Sequence, residues 1–156
     1  MIKVEAADSK HAALVHELTL EAFDAFRDSL DPTPGVFLET VDDVQYAIED
    51  GAVAIAWVDG RAVGAVRCRQ QGDSLYAGRL AVLPDARKAG VGSALMDFVE
   101  DQARAMRLST VMVGVRSALP GNVAFFQKRG YFQIAEEAHP RNPAATSVTL
   151  IKIVGL

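Results

Sequence analysis

Between Leu80 and Ser93 the chain reads Leu-Ala-Val-Leu-Pro-Asp-Ala-Arg-Lys-Ala-Gly-Val-Gly-Ser. An apolar run ends at Pro84, two cations follow at Arg87 and Lys88, and Gly90 and Gly92 open a stretch with helical spacing. The first N–H groups of a helix have no intrahelical acceptor, and the helix dipole adds partial positive charge at that end. Glycines there let a ligand reach the backbone with no Cβ in the way. The combination predicts a phosphate or pyrophosphate site along Arg87, Lys88, Ala89, Gly90, Val91, Gly92 and Ser93.

Three kinds of loop compete for this reading. A Walker loop needs Gly-Lys-Ser/Thr in sequence, and that is absent. A dinucleotide fingerprint needs Gly or Ala where Leu95 stands, and its first glycine directly after the strand, whereas a long spacer separates Val82 from Gly90. The third pattern, Arg/Gln-x-x-Gly-x-Gly/Ala, is met by Arg87-x-x-Gly90-x-Gly92. It resembles the acyl-CoA pyrophosphate loop of the GNAT superfamily of N-acetyltransferases. Leu80-Ala81-Val82-x-Pro84 resembles the end of that family's fourth strand. Asn122-Val123-Ala124-Phe125-Phe126-Gln127-Lys128-Arg129-Gly130-Tyr131-Phe132 resembles its downstream motif. The order of elements from Ile2 to Val154 is similar as well.

The resemblance implies acetyl-CoA as co-substrate, bound in a V-shaped cleft where the fourth and fifth strands part. Those strands are Ser74 to Leu83 and Thr110 to Val115. The backbones of Leu80 and Val82, with Ala81 between them, would pair with the pantetheine arm as an added strand does. The Val82 N–H would donate to the thioester carbonyl, and the loop from Arg87 to Ser93 would wrap the pyrophosphate. Asn122 would meet the pantetheine arm, and Phe125 and Phe126 would wall the thiol end. The implied reaction is direct attack by the neutral primary amine of a small molecule or peptide.

Two departures from the family pattern bear on catalysis. Phe126 stands where the family usually has a tyrosine that protonates the departing thiolate, which leaves Tyr76 and Tyr131 as the candidate donors. No carboxylate lies between Ser74 and Pro84, so the base is Asp73, Glu39 or a chain of waters. The same departures motivate a rival reading, an acyl-CoA-binding module without transferase activity. An NAD(P)H-dependent oxidoreductase is the third reading, and the loop spacing opposes it.

The elements that must hold these residues are legible from hydrophobic period and turn chemistry. Ile2 to Ala6 reads as a strand, followed by a helix capped at Asp8 or Ser9 with Leu14, Leu18, Ala22 and Phe26 on one face. Arg27 to Gly35 is a Pro- and Gly-bearing loop flanked by Phe23, Phe26 and Phe37. Thr40 with Asp43 forms a capping box for a second helix closed by Gly51. Ala52 to Val58 and Arg61 to Arg69 are strands joined at Asp59-Gly60, a hairpin signal. Gly90 to Arg107 is a helix with the stripe Val91, Leu95, Phe98, Val99 and Met106. Pro120 to Arg129 is a short helix that Asn122 could equally cap. Tyr131 to Glu136 and Thr146 to Val154 are strands joined by a Pro-bearing connection, His139 to Ala145. The resulting β-α-α-β-β-β-α-β-α-β-β order predicts an α/β three-layer fold: a mixed sheet of about seven strands with helices on both faces.

Composition narrows the functional classes. The 156 residues suit one domain spanning 1–156, with 50% hydrophobic and 23% charged residues. A net charge of −4 argues against a nucleic-acid partner and weakly favours a cationic acceptor. The apolar run Ala52 to Val58 is too short to span a membrane, and the first ten residues lack the apolar core of a signal peptide. One cysteine, Cys68, excludes an intrachain disulfide and suits a reducing, cytoplasmic compartment. His11 and His16 lack the i, i+4 spacing of a helical zinc pair, so no metal site is expected. His139 reads as a loop residue that can border the acceptor. The apolar last strand, Val148 to Val154, is compatible with a homodimer or with burial in a sheet.

Overall fold

The computed structural model describes residues 1–27, 30–32 and 34–155. Residues 28, 29 and 33, inside the loop expected between the first two helices, and residue 156 lie outside that description. The element order is β1 (Ile2–Ala6), α1 (Ala12–Phe23), α2 (Val41–Asp50), β2 (Ala52–Val58), β3 (Arg61–Gln71), β4 (Ser74–Val82), α3 (Val91–Ala105), β5 (Thr110–Arg116), α4 (Pro120–Lys128), β6 (Phe132–His139) and β7 (Asn142–Ile153). It matches the order expected from the sequence.

All seven strands form one sheet in the order β1-β2-β3-β4-β5-β7-β6. Only β4 and β5 pair in parallel, because only they are joined by a crossover helix, α3. The period of two along β2 sorts its side chains between two cores. Val53 and Ile55 meet Ala12, Val15, Leu18 and Val44 of α1 and α2, while Ala54 and Ala56 meet Val91, Leu95, Met96 and Val99 of α3. Three layers follow: α1 and α2, the sheet, then α3 and α4.

Local chemistry fixes the ends. Asp8 accepts from the Lys10 N–H, and His11 Nδ1 accepts from the Asp8 N–H. Thr40 and Asp43 exchange backbone and side-chain hydrogen bonds as the capping box requires. Asp59 and Gly60 both take positive φ, 51° and 79°, in the β2–β3 turn.

Two boundaries differ from expectation. α3 ends at Ala105 and Arg107 turns left-handed at φ 59°, so Met106 is exposed. The face α3 buries is instead Val91, Leu95, Met96, Val99, Glu100 and Ala103, which places a carboxylate in the core stripe. The expected connection from His139 to Ala145 is mostly strand, because β6 and β7 run on into a tight hairpin at Pro140-Arg141. Pro143 is tolerated there because the ladder is irregular: His139 opposes Asn142, yet Ala138 already opposes Thr146.

Candidate active site

The cleft begins where β4 and β5 stop pairing. Ser74 to Ala77 oppose Thr110 to Val113, and beyond them β4 stays with β3 while β5 stays with β7. A bulge explains the divergence. The β3–β4 register shifts between Ala65 and Arg67, and Arg79 takes φ 51° inside β4. An extra residue in one strand bends and twists it locally. Past the bulge, Leu83 donates its N–H to the Val63 carbonyl at 2.9 Å. By alternation the Val82 N–H points away from β3 into the gap, and Leu80 shares that edge. The two backbones expected to receive a ligand strand therefore face an opening, with Ala81 buried between them against α1.

The loop from Pro84 carries the chain to the mouth of this gap. Lys88 and Gly90 both take positive φ, 66° and 87°. Gly90 is the N-cap of α3 and lends it no side-chain cap, and the first intrahelical bond runs from Ala94 N–H to the Gly90 carbonyl. The N–H groups of Val91, Gly92 and Ser93 thus meet no intrahelical acceptor, in the turn where the dipole favours an anion. Lys88 and Ala89 are exposed beside them. A Cβ built on Gly92 would lie 3.4 Å from Phe125 Cζ and 4.0 Å from Val82 Cγ2. Strand β4, the first turn of α3 and the Phe125 ring of α4 therefore converge on Gly92.

Arg87 behaves differently from expectation. Its Nε donates to the Val82 carbonyl at 3.0 Å and its Nη2 to the Ala22 carbonyl, at the C-terminus of α1, at 2.8 Å. The side chain braces the loop against β4 and α1 rather than reaching toward the α3 N-terminus. Asn122 is exposed in the first turn of α4 and is not the cap, which is Leu119. Phe126 is buried in the main core against Phe125 and Tyr131, with ring centroids 5.0 and 5.4 Å away, so Phe125 alone of the pair stands against Gly92.

The two tyrosines named as proton donors part company. Tyr131 is buried, and its hydroxyl donates to Glu100 at 2.9 Å. Burial and the Glu100 charge push its pKa far up, and its proton is committed to Glu100. Tyr76 opposes Met112 in the last stretch of β4–β5 pairing, and its ring runs past Gly78 and over Gly114. A Cβ on Gly114 would sit 3.0 Å from the Tyr76 hydroxyl, so the hydroxyl lies at the vertex of the V.

Of the two named carboxylates, one lies at the far end of the strand pair and the other is ion-paired. Asp73 precedes Ser74 at the closed end of the β4–β5 pair. Glu39 lies on the α1–α2 side and accepts from both Arg67 Nη1 and Nη2, at 2.7 and 3.0 Å, with Arg79 Nη2 at 3.5 Å. A proton transfer to Glu39 would have to break a bidentate ion pair. His16 Nε2 donates to the Glu39 carbonyl, which further fixes that turn. Cys68 is buried in the core and its thiol is pushed up to about 11 by burial, a buried structural thiol. The bulge at Arg79 and the guanidiniums around it were not legible from residue types, because a strand register decides them.

The model of the acetyltransferase (GNAT) family matches residues 20–131. No curated protein matches the chain in sequence. Among solved structures, the ribosomal-protein-S18-alanine N-acetyltransferase from Escherichia coli is 12% identical with a TM-score of 0.80, over 100% of this chain and 96% of that one. A ribosomal-protein-alanine N-acetyltransferase from Brucella melitensis is 15% identical with a TM-score of 0.75, over 97% and 99%. The PaiA N-acetyltransferase from Thermoplasma acidophilum, solved in complex with coenzyme A, is 11% identical with a TM-score of 0.79, over 98% and 99%. At such identities the likeness is one of fold. The match to the family model spans most of the chain and takes in both the β4–α3 loop and α4, and the chain belongs to the acetyltransferase (GNAT) family.

Proposed function

We propose that residues 1–156 form one acetyl-CoA-dependent N-acetyltransferase domain that moves an acetyl group onto a primary amine in a ternary complex. One observation carries the reading: a strand edge at Leu80 and Val82 that pairs with no neighbouring strand leads directly to an uncapped helix N-terminus at Gly90 to Ser93. Coenzyme A has the matching parts, amides that pair with a strand edge and a pyrophosphate that suits a helix N-terminus. A dinucleotide lacks the amide-bearing arm. Lys88, Ala89 and the N–H groups of Val91, Gly92 and Ser93 would hold the pyrophosphate. Leu80 and Val82 would hold the arm, with Phe125 against it and Asn122 within the same turn of α4.

Bound acetyl-CoA supplies an activated thioester. The Val82 N–H is aimed to receive negative charge on its carbonyl oxygen, and a fixed donor in a water-poor cleft needs no reorganisation. The amide bond forms as the carbon–sulfur bond breaks; the amine nitrogen gives up one proton and the thiolate takes one. Tyr76 holds a proton at Oη at the vertex of the cleft, the donor this chain offers in place of the family tyrosine. Water takes the amine proton, because Glu39 is committed to Arg67. Tyr76→Phe is expected to lower kcat by about 10²-fold, with little change in KM for acetyl-CoA. Equal kcat in steady-state assays of the two proteins would remove Tyr76 from the mechanism.

Binding is tested by melting the protein with acetyl-CoA and, separately, with NADH. A ligand at 100 times its Kd adds about 2.7 kcal/mol, roughly 5–11 °C for a chain this long. The expected rise occurs with acetyl-CoA alone. A rise with NADH alone would favour the oxidoreductase reading.

The cytoplasmic assignment rests on the single, buried cysteine. No described helix is long and apolar enough to cross a membrane. A homodimer is the assembly we propose, on the support of Phe132, Ile134 and Ile153, which are exposed on the β5–β7–β6 end of the sheet. A two-fold pair would bury this end against its copy. Light scattering is expected to give the dimer mass, and the monomer for Ile153→Glu; a monomeric parent protein would end that proposal.

A further inference from the structure

The sheet face that carries α1 and α2 bears a cluster of arginines around the cleft. Along β5, Val111, Val113 and Val115 are buried on the α3 side, so Met112, Gly114 and Arg116 face the α1–α2 side. Along β3, Val66 and Cys68 belong to the α3-side core, which turns Arg67 and Arg69 the same way. Arg79 reaches that side from the β4 bulge: its guanidinium stands beside Gly35 and 3.5 Å from Glu39. Arg79 and Arg116 thus rise from the two walls of the V. They lie two and three residues beyond the last paired residues, Ala77 and Val113.

The charges on this side do not cancel. Arg67 is matched by Glu39, and Arg69 lies over the Tyr76 ring at 6.0 Å. Arg141, at the β6–β7 hairpin, neighbours Arg116, as does Asp31, which accepts from Asn142 Nδ2 at 3.2 Å. Glu137 lies in the same row as Arg116, beyond Ser147. Among the described residues, the guanidiniums of Arg67, Arg69, Arg79 and Arg116 stand on this face with the carboxylates of Glu39, Asp31 and Glu137. The guanidinium of the half-buried Arg116 makes no hydrogen bond or ion pair with any described residue. Burial and Arg141 hold the Arg116 pKa below the ordinary guanidinium range, and His139 is lowered by slight burial and by the same two arginines. A chain of net charge −4 therefore presents, beside the cleft, a half-buried guanidinium with no carboxylate in ion-pair contact among the described residues. This reverses the weak preference for a cationic acceptor that the overall charge suggested.

We infer that the acceptor amine carries a carboxylate of its own, received by Arg116 with Arg79 across the cleft. The inference rests on the N-acetyltransferase reading. A guanidinium offers a planar fork that matches a carboxylate with two hydrogen bonds, and an unpaired one gains most from such a partner. A cationic amine would meet repulsion at the same place. The carboxylate has two possible sources, the α-carboxylate of a free amino acid or an acidic side chain at a peptide N-terminus.

The test measures kcat/KM at saturating acetyl-CoA for matched acceptors, with acetylated product read by mass spectrometry. Free amino acids are compared with their carboxamides, peptide amides beginning with Asp with those beginning with Asn, and spermidine serves as the cation. The carboxylate member is expected to win by tenfold or more in one of the two sets, and that set names the source. Arg116→Gln is expected to collapse the ratio toward one, with the acetyl-CoA melting shift retained, and Arg116→Lys to restore part of it. Arg79→Gln gives the same reading should Arg116→Gln fail to fold. Turnover without charge preference, preference for spermidine, or a ratio unchanged in both glutamine variants overturns this inference alone. Failure of every amine despite acetyl-CoA binding overturns the transferase reading and this inference with it.

Discussion

Gly92→Glu is expected to abolish the acetyl-CoA melting shift while the protein keeps its fold. Position 92 is in the first turn of α3, with an ordinary helical backbone, so a side chain is allowed there. A Cβ would meet Phe125 at 3.4 Å and Val82 at 4.0 Å, normal contact distances. A carboxylate near a helix N-terminus stabilises the helix by about 0.3–1 kcal/mol, so the substitution does not undermine α3. The rest of the glutamate must extend between Phe125 and the β4 edge or across the N–H groups of the turn. Either course fills the cleft and places a negative charge where a pyrophosphate would bind. We expect affinity for acetyl-CoA to fall by at least about 10²-fold, the loss of two charge-assisted contacts. The free variant should melt within about 2–4 °C of the parent protein, the equivalent of 1 kcal/mol. An undiminished acetyl-CoA shift in Gly92→Glu would mean that the ligand binds elsewhere.

The second large effect falls on stability. Glu100→Ala is expected to cost about 3–5 kcal/mol, roughly 6–20 °C in Tm. Glu100 is 5% exposed at its side chain and joins three elements. It accepts from Lys152 Nζ of β7 at 2.9 Å, from Arg129 Nη2 after α4 at 3.0 Å, and from the Tyr131 hydroxyl at 2.9 Å. Removing it strands the Lys152 charge and the Tyr131 hydroxyl; Arg129 keeps Asp97 at 2.7 Å. Burial alone would raise the Glu100 pKa, yet the donors from Lys152, Arg129 and Tyr131 outweigh it and hold the carboxyl below the usual range. A depressed folded-state pKa contributes stability above the unfolded value, roughly pH 4.3, and that contribution is lost as pH falls through the folded value. Glu100→Gln should therefore flatten the acid limb of the stability curve while costing less at neutral pH. A cost under about 1 kcal/mol for Glu100→Ala, the ordinary worth of a surface pair, would show that the network is not stabilising.

The parts of the fold carried by short-range pattern are legible in the sequence. The capping box at Thr40, the Asp59-Gly60 hairpin and the switch from period two to helical period at Gly90 each have a local physical cause, and each is present. The β4–α3 loop was readable for the same reason. Features that depend on pairing were not. Tyr76 and Tyr131 look equivalent as residue types; one lies at the cleft vertex and the other under α3, because β4 opposes β5 and the segment after α4 turns into the core. The cluster formed by Arg67, Arg79 and Arg116 comes from three strands and a bulge. The long β6–β7 hairpin was masked by Pro140 and Pro143, which signal a loop wherever the partner ladder is unknown. Glu100 did leave a trace: Met96, Glu100 and Ala103 recur at i, i+4 and i+7, and a charge within an apolar stripe marks a buried partnered group.

On the reading proposed above, the cleft transfers acetyl to an amine rather than only holding acyl-CoA. Its most direct test is the rate at which free CoA thiol appears, with and without amine. Cys68, buried and with its pKa pushed up to about 11, adds little background to a thiol-reactive dye in the native protein. Thiol release is expected to rise with amine concentration, to saturate, and to yield one acetylated amine per thiol. Thiol release at the same low rate with every amine and with none, from protein that acetyl-CoA stabilises, would contradict it and leave an acyl-CoA-binding module.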